Sequence, residues 1–218
     1  PPSWKDRAWN TREFKTWYET TVHDKKAIEA WWEKWANELF WFKKWNTVLD
    51  DSHPPFYRWF VGAETNLAYL ATDWQIELGR KDKTALIWEG EPWDETSQKP
   101  KEVKKFTYGD LHRESNIISY ALREKLKVKK GEILTFYVPM IPELPIALLA
   151  CARIGAIHSV VFGGFGVTAL NYRINDTEAR VVITSDIGFR RGKTIQLKSI
   201  VEEAIINAPS VERVVVLR

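Results

Sequence analysis

Four consecutive residues, Arg190-Arg191-Gly192-Lys193, bring three cations within reach of one small anion. An arginine presents a planar fork that matches two phosphate oxygens, and a lysine adds a compact point charge. Gly188 and Gly192 let the surrounding chain fold so that the cations converge. Upstream, Gly163-Gly164-Phe165-Gly166 follows an apolar run and precedes a helical pattern. Bare glycine backbone can approach a ligand closely, and a helix amino terminus offers unpaired N–H groups to an anion. Each segment also has an ordinary alternative, a tight βα turn for the glycines and a solvated charge run for the cations. Cations at the start of a helix oppose its dipole, which counts against the second alternative. The glycine spacing fits neither a dinucleotide fingerprint nor a P-loop. Together the two segments indicate an anionic small molecule, most simply one carrying phosphate.

The elements that must position these loops alternate regularly. Strands are expected at Glu132 to Val138, Ile157 to Phe162, Arg180 to Thr184 and Arg213 to Leu217. Helices are expected at Glu143 to Arg153, ended by Gly155, at Val167 to Asn175, and at Thr194 to Ala208, stopped by Pro209. Alternation with short connections implies an α/β fold whose parallel sheet has right-handed crossovers. Val-Val-Ile and Val-Val-Val are continuous apolar runs, as strands buried on both faces should be. Parallel neighbours empty their loops at one edge, so the glycine and cation loops should emerge side by side where open sheets take ligands. The final helix should direct its positive end toward the cations.

Before this region the composition changes. All 12 tryptophans lie between Trp4 and Trp93. Thr11 is placed to cap a helix carrying Phe14, Trp17, Tyr18 and Val22 on one face. Asp24 is placed to cap another with Ile28, Trp31, Trp32, Trp35 and Leu39 at helical spacing. Asp50 to Pro55 breaks the pattern, and Leu67, Leu70, Ala71, Trp74 and Leu78 form a further stripe closed near Gly79. Such spacing favours rings that pack helices onto a larger body over sugar stacking or membrane insertion. From Thr84 to Tyr108 two strands should form a hairpin, with Thr107 and Asp110 as a capping box for a helix through Leu126. Two domains follow: a Trp-rich helical region at 1–83 and an incomplete α/β domain at 84–218.

Other chemistry is poorly represented. Cys151 lies on an apolar helix face and reads as a buried, inert thiol that fits a reducing cytoplasm. His158, inside a strand, reads as a satisfied core histidine. The histidines at 23, 53, 112 and 158 lack metal-ligand spacing. A net charge of +3 from 32 basic and 29 acidic residues, without a polybasic stripe, argues against nucleic acid or an anionic membrane as partner. No apolar run reaches the length of a membrane span, and no leading segment has the pattern of a signal peptide. The Pro-Pro start without an initiator methionine suggests processing or trimming, and the last strand leaves a sheet whose next element does not follow.

Pro139 to Phe165, reading Pro-Met-Ile-Pro-Glu-Leu-Pro-Ile-Ala-Leu-Leu-Ala-Cys-Ala-Arg-Ile-Gly-Ala-Ile-His-Ser-Val-Val-Phe-Gly-Gly-Phe, closely resembles the amino-terminal half of AMP-forming acetyl-CoA synthetases. Pro54 to Gly62, Leu86 to Glu91 and Thr107 to Leu111 extend the resemblance over nearly the whole chain. It implies the adenylate-forming fold and a reaction in which a short carboxylate is activated with ATP and Mg2+, then passed to CoA. Arg190, Arg191, Gly192 and Lys193 resemble the family's Arg-Gly-Gly-Lys loop, which holds the phosphorylated end of CoA. Gly163 and Gly164 resemble the backbone beside the pantetheine tunnel. Arg191 stands where the family usually has glycine. Its charge would tighten phosphate binding, or its Cβ would forbid a glycine-only backbone angle. Gly166 stands where the family commonly has serine.

No segment here matches the family's ATP-phosphate loop, acyl pocket, hinge or adenylation lysine, so no catalytic residue is assigned and the chain alone should be inactive. The leading expectation is the amino-terminal part of an acetyl- or short-acyl-CoA synthetase, with the remainder as a possible second chain. The rival is a non-catalytic module that binds another chain through its open sheet edge.

Overall fold

The computed structural model describes residues 11–218, with side chains from Arg12 onward. Trp4, Trp9 and the Thr11 side chain, including its expected cap, lie outside the described part. The chain divides into two compact units, Pro1–Thr65 and Asn66–Arg218.

In the first unit, α1 (Thr11–Thr21) and α2 (Lys25–Ala36) are followed by a hairpin of β1 (Thr47–Asp50) and β2 (Arg58–Val61). Asp24 caps α2, accepting a hydrogen bond from the Ala27 amide at 3.1 Å. The helix ends at Ala36, short of the expected Leu39. The β1–β2 hairpin has no counterpart in the sequence reading, because each strand is only four residues long, too short to show an alternating pattern. Tryptophans of α1, α2 and β2 pack against one another: Trp17–Trp31 at 5.4 Å, Trp31–Trp32 at 4.8 Å and Trp32–Trp59 at 5.6 Å between ring centres. Tilted and edge-on pairs of this kind suit the ring quadrupoles.

The second unit opens with a helical segment that widens into a π turn at Tyr69–Asp73 and continues as α3 (Trp74–Glu77), closed by Gly79 at φ +76°. The expected hairpin is present, with β3 (Thr84–Glu89) pairing antiparallel to β6 (Val103–Thr107). A short ribbon of β4 (Trp93–Asp94) and β5 (Lys99–Pro100) fills the excursion between them. Thr107 and Asp110 form the full capping box of α4 (Tyr108–Tyr120), which runs on through a π turn at Ala121–Lys125. Then come β7 (Ile133–Tyr137), α5 (Glu143–Ile154), β8 (Ile157–Val160), α6 (Val167–Thr177) and β9 (Val181–Ser185). A small hairpin, β10 (Gly188–Arg190) and β11 (Lys193–Ile195), precedes α7 (Leu197–Ala204) and β12 (Arg213–Leu217).

β12, β9, β7 and β8 form one parallel sheet in that order, so the fold is α/β as expected. Alternation along β7 builds both layers. Leu134 and Phe136 face α4 and α5, while Tyr137 faces α6 and α7, and all three are fully buried. Burying such side chains stabilises the fold by about 1.5–3 kcal/mol each. Ser119 stitches α4 to α5 by donating to the Ala150 carbonyl at 3.1 Å. Two expectations need correction. β12 is an edge strand, and its Val214 is exposed, so only β9 of the two valine-rich runs is buried throughout. The last helix begins at Leu197 rather than Thr194, because Lys193–Ile195 pairs back on Gly188–Arg190.

Candidate functional site

β7, β8, β9 and β12 run parallel, and their carboxyl ends open into a cavity of about 1160 Å³. That is somewhat above the range usual for a small-molecule site, about 300–1,000 Å³. Its floor is apolar, with Val138, Val161, Leu197 and Leu217, and the β3–β6 hairpin supplies one wall through Trp88. Trp88 is fixed there by donating its Nε1–H to the Met140 carbonyl at 2.7 Å, and Lys104 lies over its ring at 5.3 Å.

Gly163 and Gly164, just past β8, border this cavity, and so does Arg190. The glycine loop is held from below by Tyr137, whose hydroxyl donates to the Phe165 carbonyl at 2.5 Å and more weakly to that of Gly163 at 3.4 Å. Burial raises the Tyr137 phenol above its ordinary value, so the hydroxyl keeps its donor proton. A Cβ on Gly164 would collide with the Arg190 guanidinium and come within 2.5 Å of the Phe162 ring. A side chain here would displace the Arg190 guanidinium: the space left by glycine is the slot in which Arg190 lies. The guanidinium stacks on Phe162, Cζ to ring centre 4.5 Å. Phe162 meets Phe165 edge-on at 5.8 Å, and Arg173 covers the Phe165 ring at 4.5 Å.

The cation loop is the tip of the β10–β11 hairpin. Arg190 and Lys193 are cross-strand partners, so both side chains leave the ribbon on one face. Like charges set opposite each other are unfavourable by themselves, and an anion between them reverses the sign. Arg191 and Gly192 form the two-residue turn with φ of +50° and +72°, the type I′ geometry of tight hairpins. Arg191 thus occupies a left-handed position that suits glycine, so its Cβ does not forbid the angle but holds it at a cost. Arg191, Gly192 and Lys193 do not line the cavity. The cations sit on a hairpin rather than at a helix start, so the expected helix-dipole contribution is withdrawn.

The lining also carries charge of the other sign. Glu89, Glu91, Glu102, Glu143 and Asp186 share the lining with Lys104, Arg190 and Arg218, so the cavity is of mixed charge. Gly166 is the amino cap of α6 at φ −81°, makes no side-chain cap, and a Cβ there would meet open space.

Among the described residues no group of three or more His, Cys, Asp or Glu could hold a metal ion, and no helix is long and apolar enough to cross a membrane. Cys151 is fully buried, and burial pushes its thiol up to about 12, which suits an inert core residue. His158 departs from expectation, since its Nδ1 is buried without a hydrogen-bond partner among the described residues. Sequence reasoning missed Phe162, Tyr137 and Glu91, whose roles arise from neighbours distant in the chain. Their only local signal is position next to a glycine or at a strand end.

Comparison with known proteins gives the family. The family described as AMP-binding enzyme matches residues 73–218, and the one described as acetyl-coenzyme A synthetase N-terminus matches residues 12–71. An acetyl-coenzyme A synthetase of Pyrobaculum aerophilum is 53% identical over 190 residues, covering 87% of this chain and 28% of that protein. Another from Rubrobacter xylanophilus is 46% identical over 201 residues, covering 92% of this chain and 29% of that protein. A third, from Deinococcus radiodurans, is 47% identical over 190 residues, 87% of this chain and 28% of that protein. The chain thus spans a little over a quarter of the length of these curated relatives.

Proposed function

This chain belongs to the AMP-binding enzyme family, and from that premise we propose that it forms the CoA-phosphate side of an AMP-forming acetyl- or short-acyl-CoA synthetase. The observation that carries the reading is the seating of Arg190 in the slot left by Gly164, at the mouth of the sheet-edge cavity. Arg190 and Lys193 would take the phosphorylated end of CoA, Arg191 and Gly192 would shape the turn between them, and Gly163 and Gly164 would pass backbone along the pantetheine arm. The apolar floor suits that arm. ATP and Mg2+ would be handled by residues this chain does not match, in sequence that the relatives carry beyond the shared part, whether in the same or a second chain. This chain alone would then form no adenylate.

The functional division we propose is 1–83 and 84–218, because the β3–β6 hairpin beginning at Thr84 supplies a wall of the cavity. A cytoplasmic setting is supported by the single buried thiol and by CoA as the substrate.

Calorimetry of CoA against the wild type and Arg190→Ala tests this reading. The variant should lose about 1.5–3 kcal/mol, the range for hydrogen bonds to charged groups. Dephospho-CoA should lose less. Equal losses for both ligands would show that Arg190 does not read the terminal phosphate.

A second reading, a non-catalytic module that pairs with another chain, draws on the sheet edges. Ile157 and Val160 of edge strand β8 are about half exposed, at 51% and 49%, as an unpaired edge awaiting a partner would be. Under that reading CoA gives no saturable heat.

A further inference from the structure

The Gly192 amide donates to Glu91 Oε1 at 3.1 Å, joining residues 101 positions apart. In a two-residue hairpin the amide of the second turn residue stands outside the ladder and needs an acceptor from elsewhere. Glu91 lies between β3 and β4 on a braced connection. The Gly90 amide donates to the Glu102 carbonyl at 2.9 Å, and the Lys101 amide donates to the Pro92 carbonyl at 2.8 Å. The carboxylate is therefore presented by a fixed platform. Gly192 lies in the turn between Arg190 and Lys193, yet among the described residues neither cation has a carboxylate within ion-pair distance. Glu91 Oε1 accepts from a neutral N–H and makes no ion pair with either cation.

We propose that Glu91 is a positioning and selectivity residue of this site. Its carboxylate ties down the tip of the cationic hairpin, and its negative charge opposes any phosphate that settles there. The proposal rests on the reading of the hairpin as a phosphate-holding element. The two roles separate chemically. Glu91→Gln keeps a carbonyl acceptor for Gly192 and removes the charge. Glu91→Ala removes both.

Glu91→Gln should bind inorganic pyrophosphate and CoA more tightly than the wild type, by about threefold to tenfold at low salt, with the gain shrinking as salt screens the pair. Pantetheine, which has no phosphate, should bind both proteins alike. The gain should vanish when Arg190→Ala is added. In 15N spectra the Gly192 amide should move strongly in Glu91→Ala and modestly in Glu91→Gln, while circular dichroism stays that of the wild type.

Equal pyrophosphate affinity in the wild type and Glu91→Gln overturns the proposal, as does a Gly192 amide that ignores both substitutions. If pyrophosphate responds as described but CoA binds none of the proteins, Glu91 keeps its role and the CoA reading falls instead.

Discussion

The guanidinium of Arg190 fills the volume that a side chain on Gly164 would occupy, so two loops from different strands are fitted to each other before any ligand arrives. Gly164→Ala should push the guanidinium off the Phe162 ring while leaving the sheet untouched. CoA affinity should fall about five- to tenfold, a loss of about 1–1.4 kcal/mol, with thermal stability nearly unchanged. Calorimetry beside a melting curve checks both, and an unaltered affinity would mean that the seating of Arg190 is incidental.

The two departures from the family pattern should respond to reversion. Arg191→Gly relieves a left-handed position and removes one of three clustered cations, and should stabilise the unit by about 1 kcal/mol. Gly166→Ser adds a hydroxyl cap to α6 where space is open, worth a few tenths of a kcal/mol, since glycine is itself a tolerated cap. Chemical denaturation of each variant gives the sign. Arg191→Gly coming out less stable would refute the strain.

Asp73 and Arg153 form a partly buried pair at 2.6 Å, with Thr72 donating to the same carboxylate at 2.8 Å. Burial pushes the Asp73 carboxyl up, but the Arg153 and Thr72 hydrogen bonds and the Arg153 charge outweigh it and hold the group below its ordinary value. A lowered folded-state value stabilises above the unfolded-chain value, about pH 4, and that contribution fades as pH falls through the folded one. Asp73→Asn should therefore cost about 3 kcal/mol near neutrality, the lower end for a pair broken from one side. Its acid-side stability profile should be flatter. A constant difference between variant and wild type from pH 7 to pH 2 would contradict this.

Cys151 should not react with a thiol reagent in the folded protein at pH 8, because its thiol sits near 12 and has no exposed surface. Labelling should follow global unfolding, with a rate that rises in step with denaturant. Rapid labelling of the native state would place the thiol at the surface.

Local information was enough for much of the second unit. Apolar runs, Gly155 and the Thr107–Asp110 box mark elements whose causes lie within a few residues, and the parallel sheet followed from strands alternating with helices. The first unit was less legible because β1 and β2 are four residues each and pair across a turn, so neither shows a periodic signal of its own. The start of α7 was misplaced for a related reason. A type I′ turn depends on the backbone angles of Arg191, which an arginine code does not advertise.

By itself the sequence determined which residues could meet an anion and that their loops would leave one edge of a parallel sheet, since strand direction fixes where each loop emerges. Tertiary structure alone decided what those loops do to one another: Arg190 seated in the space at Gly164, Lys193 set across the ribbon from it, and Glu91 brought onto the Gly192 amide. The physical reason is range. Torsional preference and hydrophobic period act over a few neighbouring residues, whereas packing and charge act through space between groups that the chain separates by up to a hundred positions.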